Sequence, residues 1–298
     1  MEPLVSIILL NYNSYSHTLE CIASIKKSSY SNYEIIIVDN NSEDDSASYL
    51  EKVEDKNIYF IRNQNNCGFA AGNNVGIKLA LQHKADFVFL LNNDTIVQKN
   101  TLSELVNTYM IFEKQVNIGM VTCLILNYYE RDIIWYAGGL ISEVKGDAVD
   151  TKLGKRISGN MNNSYKNVSF ASGCCMLIPN GIFKTCGFLP EKYFLYYEDM
   201  EFCKKVINCK NKIIYTNKTH IYHKESISTQ KNSPDYVYYY CRNRLQFIKD
   251  NVSVKYKICA YLYTFLWIIK KIIVDNYTFK DSFMAVKDFF CNKLGRRV

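Results

Sequence analysis

The sequence predicts an α/β fold: a mostly parallel, doubly wound sheet with helices on both faces, followed by a helical extension. Two observations carry this. Over the first hundred residues, short apolar runs of strand length alternate with helical patterns, as in right-handed crossover units. Several of those runs are unbroken, the pattern of strands buried on both faces. The 298 residues, 48% apolar and 22% charged, suit an ordinary globular body with an appendage. The expected division is 1–230 and 231–298.

Residues 4–10 read as the first strand, ending in Asn11-Tyr12-Asn13-Ser14, where Ser14 or Ser16 can cap a helix over 17–27. A second strand, 33–38, runs into Asp39-Asn40-Asn41-Ser42. A helix over 45–53 and a third strand, 58–61, follow. Asn65-Asn66-Cys67-Gly68 then opens a glycine-containing loop through Gly76 and a helix reaching about 81. The fourth strand, 86–91, stops at Asn92-Asn93-Asp94. Beyond it lie a helix over 101–114, a strand over 119–126, and a strand and turn over 133–141. Residues 142–167 are polar and read either as an active-site lid or as a surface loop. The strand 169–178 has small Ser172-Gly173 at its centre, where a bulky ligand can approach the backbone. A short helix over 179–186 stops at Gly187. An aromatic run then leads through Tyr197 into Glu198-Asp199 and an amphipathic helix. A strand over 212–215 precedes His220 and His223. Three helical stretches, 236–249, 258–269 and 280–294, complete the chain.

Three polar strand ends, Asn11, Asp39 and Asn92–Asp94, should lie along one carboxyl edge, where open α/β sheets bind ligands. A carboxylate there suits a hard divalent cation that keeps open positions for phosphate oxygens. It also suits a simple Asn/Asp turn. Asp39 is placed to accept the imide N–H of uracil or thymine, or to cap a turn. The Gly68–Gly76 loop admits a nucleotide or packs tightly, and it lacks the dinucleotide-binding spacing. Asp199, at a helix tip beside aromatic walls, reads as a general base, or as an acid placed there by the helix dipole. Two histidines three apart on a strand cannot share one face, and His223, at the end of the apolar alternation, is the candidate metal ligand.

The net charge of +7 is lopsided: residues 1–200 hold 17 basic and 22 acidic side chains, whereas 201–298 hold 19 and 7. The basic part faces phosphate or an anionic membrane, or is a solvated face. Its apolar run over 258–269 is too short to span a bilayer. It lies in the membrane interface, or packs on the domain or in a homodimer. Eleven cysteines without a CxxC pair read as reduced core residues of a cytoplasmic protein, with no zinc site or disulfide framework. The start, Met1-Glu2-Pro3, enters a strand directly and shows no signal peptide.

Taken in order, the motifs resemble the family 2 glycosyltransferases, and especially the branch of bacterial rhamnosyltransferases. The matching pieces are Val5-Ser-Ile-Ile with Asn11-Tyr-Asn, Val38-Asp-Asn-x-Ser42, Asn66-x-Gly-Phe-Ala-x-Gly-Asn-Asn-x-Gly76, and Leu91-Asn-Asn-Asp94. They continue with Ser172-Gly-Cys-Cys-Met-Leu-Ile178, Tyr197-Glu-Asp-Met-Glu201, His223 with Ser226, and Tyr238-Tyr-x-x-Arg-Asn243. The resemblance implies a GT-A fold and an inverting transfer from a UDP- or dTDP-sugar. Asn92-Asn93-Asp94 matches the family's DxD motif with Asn in the first position. By the resemblance, Asp94 and His223 hold Mn²⁺ or Mg²⁺, Asp199 is the catalytic base, and Glu198 beside it is the second catalytic residue. Asn11, Asp39, Asn65, Gly68, Asn73, Asn92 and Asn93 contact the donor. Ser172, Gly173, Tyr197 and Arg242 serve the acceptor or diphosphate side. The expected acceptor is a lipid-linked saccharide in cell-surface polysaccharide assembly, and nucleic acid is not among the expected partners. A sugar-phosphate nucleotidyltransferase or a non-catalytic carbohydrate- or nucleotide-binding module is the alternative.

Overall fold

A computed structural model describes residues 2–150, 152–157, 164–225, 232–275 and 277–297. Its first part alternates as the sequence predicts: β1 (Val5–Asn11), α1 (Tyr15–Ile25), β2 (Tyr33–Asp39), α2 (Ser46–Leu50), β3 (Ile58–Arg62), α3 (Gly68–Gln82) and β4 (Phe87–Leu91). These four strands pair in parallel in the order β3-β2-β1-β4. Ile7, Ile8 and Leu9 are fully buried, as are Val88 and Phe89, which is why the runs show no polar alternation. Each such side chain contributes roughly 1.5–3 kcal/mol by leaving water.

The second half reads β5 (Thr95–Val97), α4 (Thr101–Phe112), β6 (Ile118–Asn127), β7 (Ile134–Tyr136), β8 (Leu140–Ser142), β9 (Asp147–Val149), β10 (Tyr165–Val168) and β11 (Cys175–Pro179). It continues with α5 (Gly181–Thr185), α6 (Glu198–Asn208), β12 (Lys212–His223), α7 (Pro234–Asn251), α8 (Val254–Val274) and α9 (Phe279–Phe290). The sheet extends from β4 through β11, β6 and β12 to β10. Here it is mixed: β11 runs antiparallel to β4 and β6, whereas β12 and β6 are parallel.

Several expectations change. The strand begins only at Cys175 and runs to Pro179: before it, Phe170 makes a lone bridge to Gly139, and the chain then turns at Gly173-Cys174. Among its described residues, the polar stretch 142–167 holds the end of a hairpin, β8 with β9, and most of the strand β10, where the sequence suggested a loop. The glycine-containing loop is helix from Gly68 onward. A Cβ at Gly72 would stand 2.5 Å from Leu10, and one at Gly76 2.7 Å from Ile8. Those glycines bring α3 onto β1, so the close approach is to protein. β12 runs on past Tyr215 to His223 through a register shift between Thr216 and His220.

Ser233 caps α7 by accepting the Tyr236 amide, with Pro234 in its first turn. α7 packs against α6, α8 and α9. The aromatic segment from Tyr193 to Tyr197 lies between these helices and the sheet body, in two apolar clusters of its own. Among the described residues, no helix is long and apolar enough to cross a membrane. All eleven cysteines are free.

Candidate active site

The polar turn after β4 is held from three sides. Thr95 Oγ1 donates to the carbonyl of Asn92 at 2.7 Å, and the Asn92 amide donates to the Cys174 carbonyl at 3.1 Å. Asn93 donates its side-chain amide to Thr18 Oγ1 at 2.8 Å and to Asn11 Oδ1 at 3.3 Å. β5 then pairs antiparallel with the end of β12, Thr95 opposite His223, and the Lys224 amide donates to the Asp94 carbonyl at 3.0 Å. This register sets the two predicted metal ligands face to face, with His223 Nε2 3.1 Å from Asp94 Oδ1. Both side chains are buried. Burial alone would raise the Asp94 carboxyl, but the facing imidazole outweighs it and holds the group below the usual carboxylate range.

These two side chains fit a divalent cation. Apart from the His223 Nε2 it faces, Asp94 Oδ1 has no polar partner, and His223 Nδ1 is buried without one; a carboxylate oxygen beside an imidazole nitrogen is a donor set for a metal such as Mn²⁺. No group of three such ligands gathers among the described residues. Two protein ligands leave positions for phosphate oxygens. Trp135 meets the His223 ring edge-on, with centroids 4.5 Å apart, and so restrains its orientation.

Asp199 stands at the start of α6, tied to the same turn. Gly173 donates its amide to Asp199 Oδ2 at 3.0 Å, while the next residue, Cys174, receives the Asn92 amide. The Met200 amide is 2.7 Å from Asp199 Oδ1. Burial raises the Asp199 carboxyl against the pull of these amides. Glu198 is more deeply placed: its Oε2 is buried without a partner, and burial, then the Asp199 charge, pushes its carboxyl well up. The approach to α6 is strained, because Tyr196 (φ 69°) and Tyr197 (φ 75°) are both left-handed. Asn243, fully buried on α7, holds that turn by donating to the carbonyls of Leu195 at 2.7 Å and Tyr196 at 3.0 Å.

Other predicted contacts take structural positions. Asn11 and Asp39 end adjacent strands in register, but both are fully buried. Asn11 donates to Asp39 Oδ1 at 2.9 Å, and Asp39 also receives the Ser42 hydroxyl at 2.6 Å and the Ser42 amide at 3.0 Å. Asp39 therefore shapes the turn after β2, and any reading of a base by it runs through that turn. Asn73 is buried and donates to the Phe69 carbonyl of its own helix at 2.9 Å. Gly68 (φ 84°) lets the chain pass Phe194, whose carbonyl would lie 2.3 Å from an added Cβ. Asn65 is exposed in the bend before α3. Ser172 is buried and closes its own turn, its carbonyl receiving the Cys175 amide. Tyr197 is buried against Tyr240 and Phe247.

Arg242 is not at the site. Its guanidinium stacks over Tyr238 and Tyr239 and donates to the Gly295 carbonyl at 2.9 Å, which fastens the end of the chain to α7. Its Nε donates to Asn243 Oδ1 at 2.9 Å, and Asn243, about 100° further round the helix, is the residue of that motif that reaches the turn before α6. Sequence reasoning also passed over Lys224. Its buried ammonium lies 2.6 Å from Glu20 Oε2 and 3.1 Å from His17 Nδ1, beside Asp94. Adjacency to His223 was the available signal. Ser226 lies outside the described residues.

The description "Glycosyl transferase family 2" matches residues 6–187. The "Low-salt glycan biosynthesis hexosyltransferase Agl10" of Haloferax volcanii is 26% identical over 276 residues, 89% of this chain and 81% of that relative. "Glycosyltransferase GlyG" of Streptococcus pneumoniae is 30% identical over 134 residues, and the match spans 44% of this chain and 41% of GlyG. Two solved structures share the fold. S. aureus TarS 1–349 in complex with UDP-GlcNAc superposes with a TM-score of 0.62 at 18% identity, covering 96% of this chain and 80% of TarS. The mannosyltransferase PcManGT from Pyrobaculum calidifontis, in complex with GDP-Man and Mn²⁺, gives 0.60 at 13%, covering 98% of this chain and 76% of its own.

Proposed function

The chain belongs to glycosyl transferase family 2, and from that premise we propose that it transfers a sugar, with inversion, from a UDP- or dTDP-linked donor to a hydroxyl of a lipid-linked saccharide. Rhamnose is the first donor to test. The observation that carries this is the junction at Gly173-Cys174. One residue of the pair holds the Asp199 carboxylate and the other holds the turn that presents Asp94 to His223.

In this reading Asp199 accepts the proton of the acceptor hydroxyl as that oxygen bonds to the anomeric carbon. The bond from that carbon to the donor diphosphate breaks on the opposite face. The two amide donors, Gly173 and Met200, fix the direction of the carboxylate. Burial makes it a stronger base than an exposed aspartate, as proton abstraction near neutral pH favours. Asp94 and His223 would hold Mn²⁺ or Mg²⁺, whose charge stabilises the departing diphosphate. The Mn²⁺ and nucleotide-sugars in the structures of similar fold support this reading. The Asn243 clamp positions Asp199 through the strained turn before α6.

The test is a panel of UDP- and dTDP-sugars with Mn²⁺, scored for release of the nucleoside diphosphate with and without saccharide acceptor. Release from one donor, lost on chelation, is expected. Pyrophosphate release from a nucleoside triphosphate and a sugar phosphate would assign the site to nucleotidyl transfer instead.

A further inference from the structure

α8 carries Val254, Ile258, Leu262, Leu266, Ile269 and Ile273 at steps of three and four residues, so all six fall on one face. Each is between 53% and 84% exposed. The opposite face, with Ala260, Thr264 and Ile268, is buried. α9 repeats the arrangement: Phe279, Phe283 and Phe290 are exposed on one side, while Ala285 and Phe289 are buried on the other. Exposed apolar side chains are ordinarily scattered singly; continuous stripes mark a contact surface.

The charges decide what makes that contact. α8 contains no Asp or Glu. Lys255 and Lys270 are exposed along α8, and Lys280 and Lys287 lie exposed beside the phenylalanines of α9. The nearby acids are engaged: Asp275 with Lys271, Asp281 with Arg297, and Asp288 with the Tyr238 hydroxyl. A second copy meeting this face would set lysine against lysine with no carboxylate to answer them. A bilayer with anionic headgroups complements both the apolar stripes and the lysines. We infer that α8 and α9 dock the protein on an anionic lipid surface, their exposed faces set into the interface. This concerns binding alone and stands or falls separately from the sugar-transfer reading.

Flotation of the full chain tests it, with vesicles of phosphatidylcholine alone or mixed with phosphatidylglycerol. The protein should float with the mixed vesicles at low salt, stay down with the neutral ones, and be released by high salt. The double variant Leu262→Glu, Leu266→Glu should bind about tenfold less or weaker still. Lys280→Glu with Lys287→Glu should abolish the preference for phosphatidylglycerol. Both alter exposed positions, so their melting temperatures should match the parent. Absence of flotation with mixed vesicles at low salt overturns the inference. So does a dimer in sedimentation velocity that the double leucine variant dissociates, which would give the face to a second copy.

Discussion

The amide of Gly173 donates to Asp199 Oδ2 at 3.0 Å, and a Cβ at residue 173 would stand 3.1 Å from the Phe69 ring and 3.4 Å from Asp199 Cβ. The absence of a side chain there serves the carboxylate. Gly173→Ala should therefore shift Asp199 and lower kcat about 10–100-fold, with a melting temperature close to the parent's. Transfer kinetics beside a thermal melt separate the two effects.

Asp199→Asn should lower kcat by about 10²–10⁴-fold. Donor affinity, measured by calorimetry, should stay at the parent value. Transfer at the parent rate would remove Asp199 from the base position.

His223 and Asp94 act as one unit in this geometry. In Asp94→Ala and in His223→Ala, donor affinity in Mn²⁺ should fall about tenfold or more, equivalent to about 1.4 kcal/mol. Chelator should cost the parent the same affinity and leave the variants unchanged. A variant still sensitive to chelator would place the metal elsewhere.

Glu198 gives a stability signature. Burial, and then the charge of Asp199, raises its carboxyl, so the folded chain holds this proton more tightly than the unfolded chain. The contribution is full below the unfolded value and is lost as pH rises through the raised folded one. Glu198→Gln cannot lose it. The melting temperature of Glu198→Gln minus that of the parent should grow as pH climbs from the ordinary glutamate value of 4.5. A difference that stays flat across neutral pH would mean Glu198 is not held protonated.

Asn243 and its neighbour Arg242 should differ in which property they lower most. Asn243→Ala frees the left-handed turn at Tyr196 and Tyr197 and should lower kcat in protein that still folds. Arg242→Ala removes buried ring contacts, the Gly295 bond and the bond from Arg242 Nε to Asn243 Oδ1 at 2.9 Å. It should cost about 1–3 kcal/mol of stability and, because Asn243 keeps its own bonds to the turn, lower turnover per folded molecule less than Asn243→Ala does. Denaturant melts and active-site-normalised rates measure both.

Local pattern determined what local pattern can. Unbroken apolar runs made β1, β2 and β4 legible because a strand buried on both faces has no polar alternation, and the polar residues that stop each run marked the edge where Asp39 and Asp94 lie. The acids opening α6 were legible for the same reason, since a helix start has its own chemistry. Tertiary structure decided which of those residues meet. Asp94 faces His223 through the antiparallel pairing of β5 with β12, and the turn at Gly173-Cys174 links Asp199 to the strand end that carries Asn92. Asn243 rather than Arg242 reaches the strained turn, and Asp39 spends its oxygens on Ser42. Register between distant segments and the direction of a buried side chain depend on what packs against them, and periodicity along the chain carries neither.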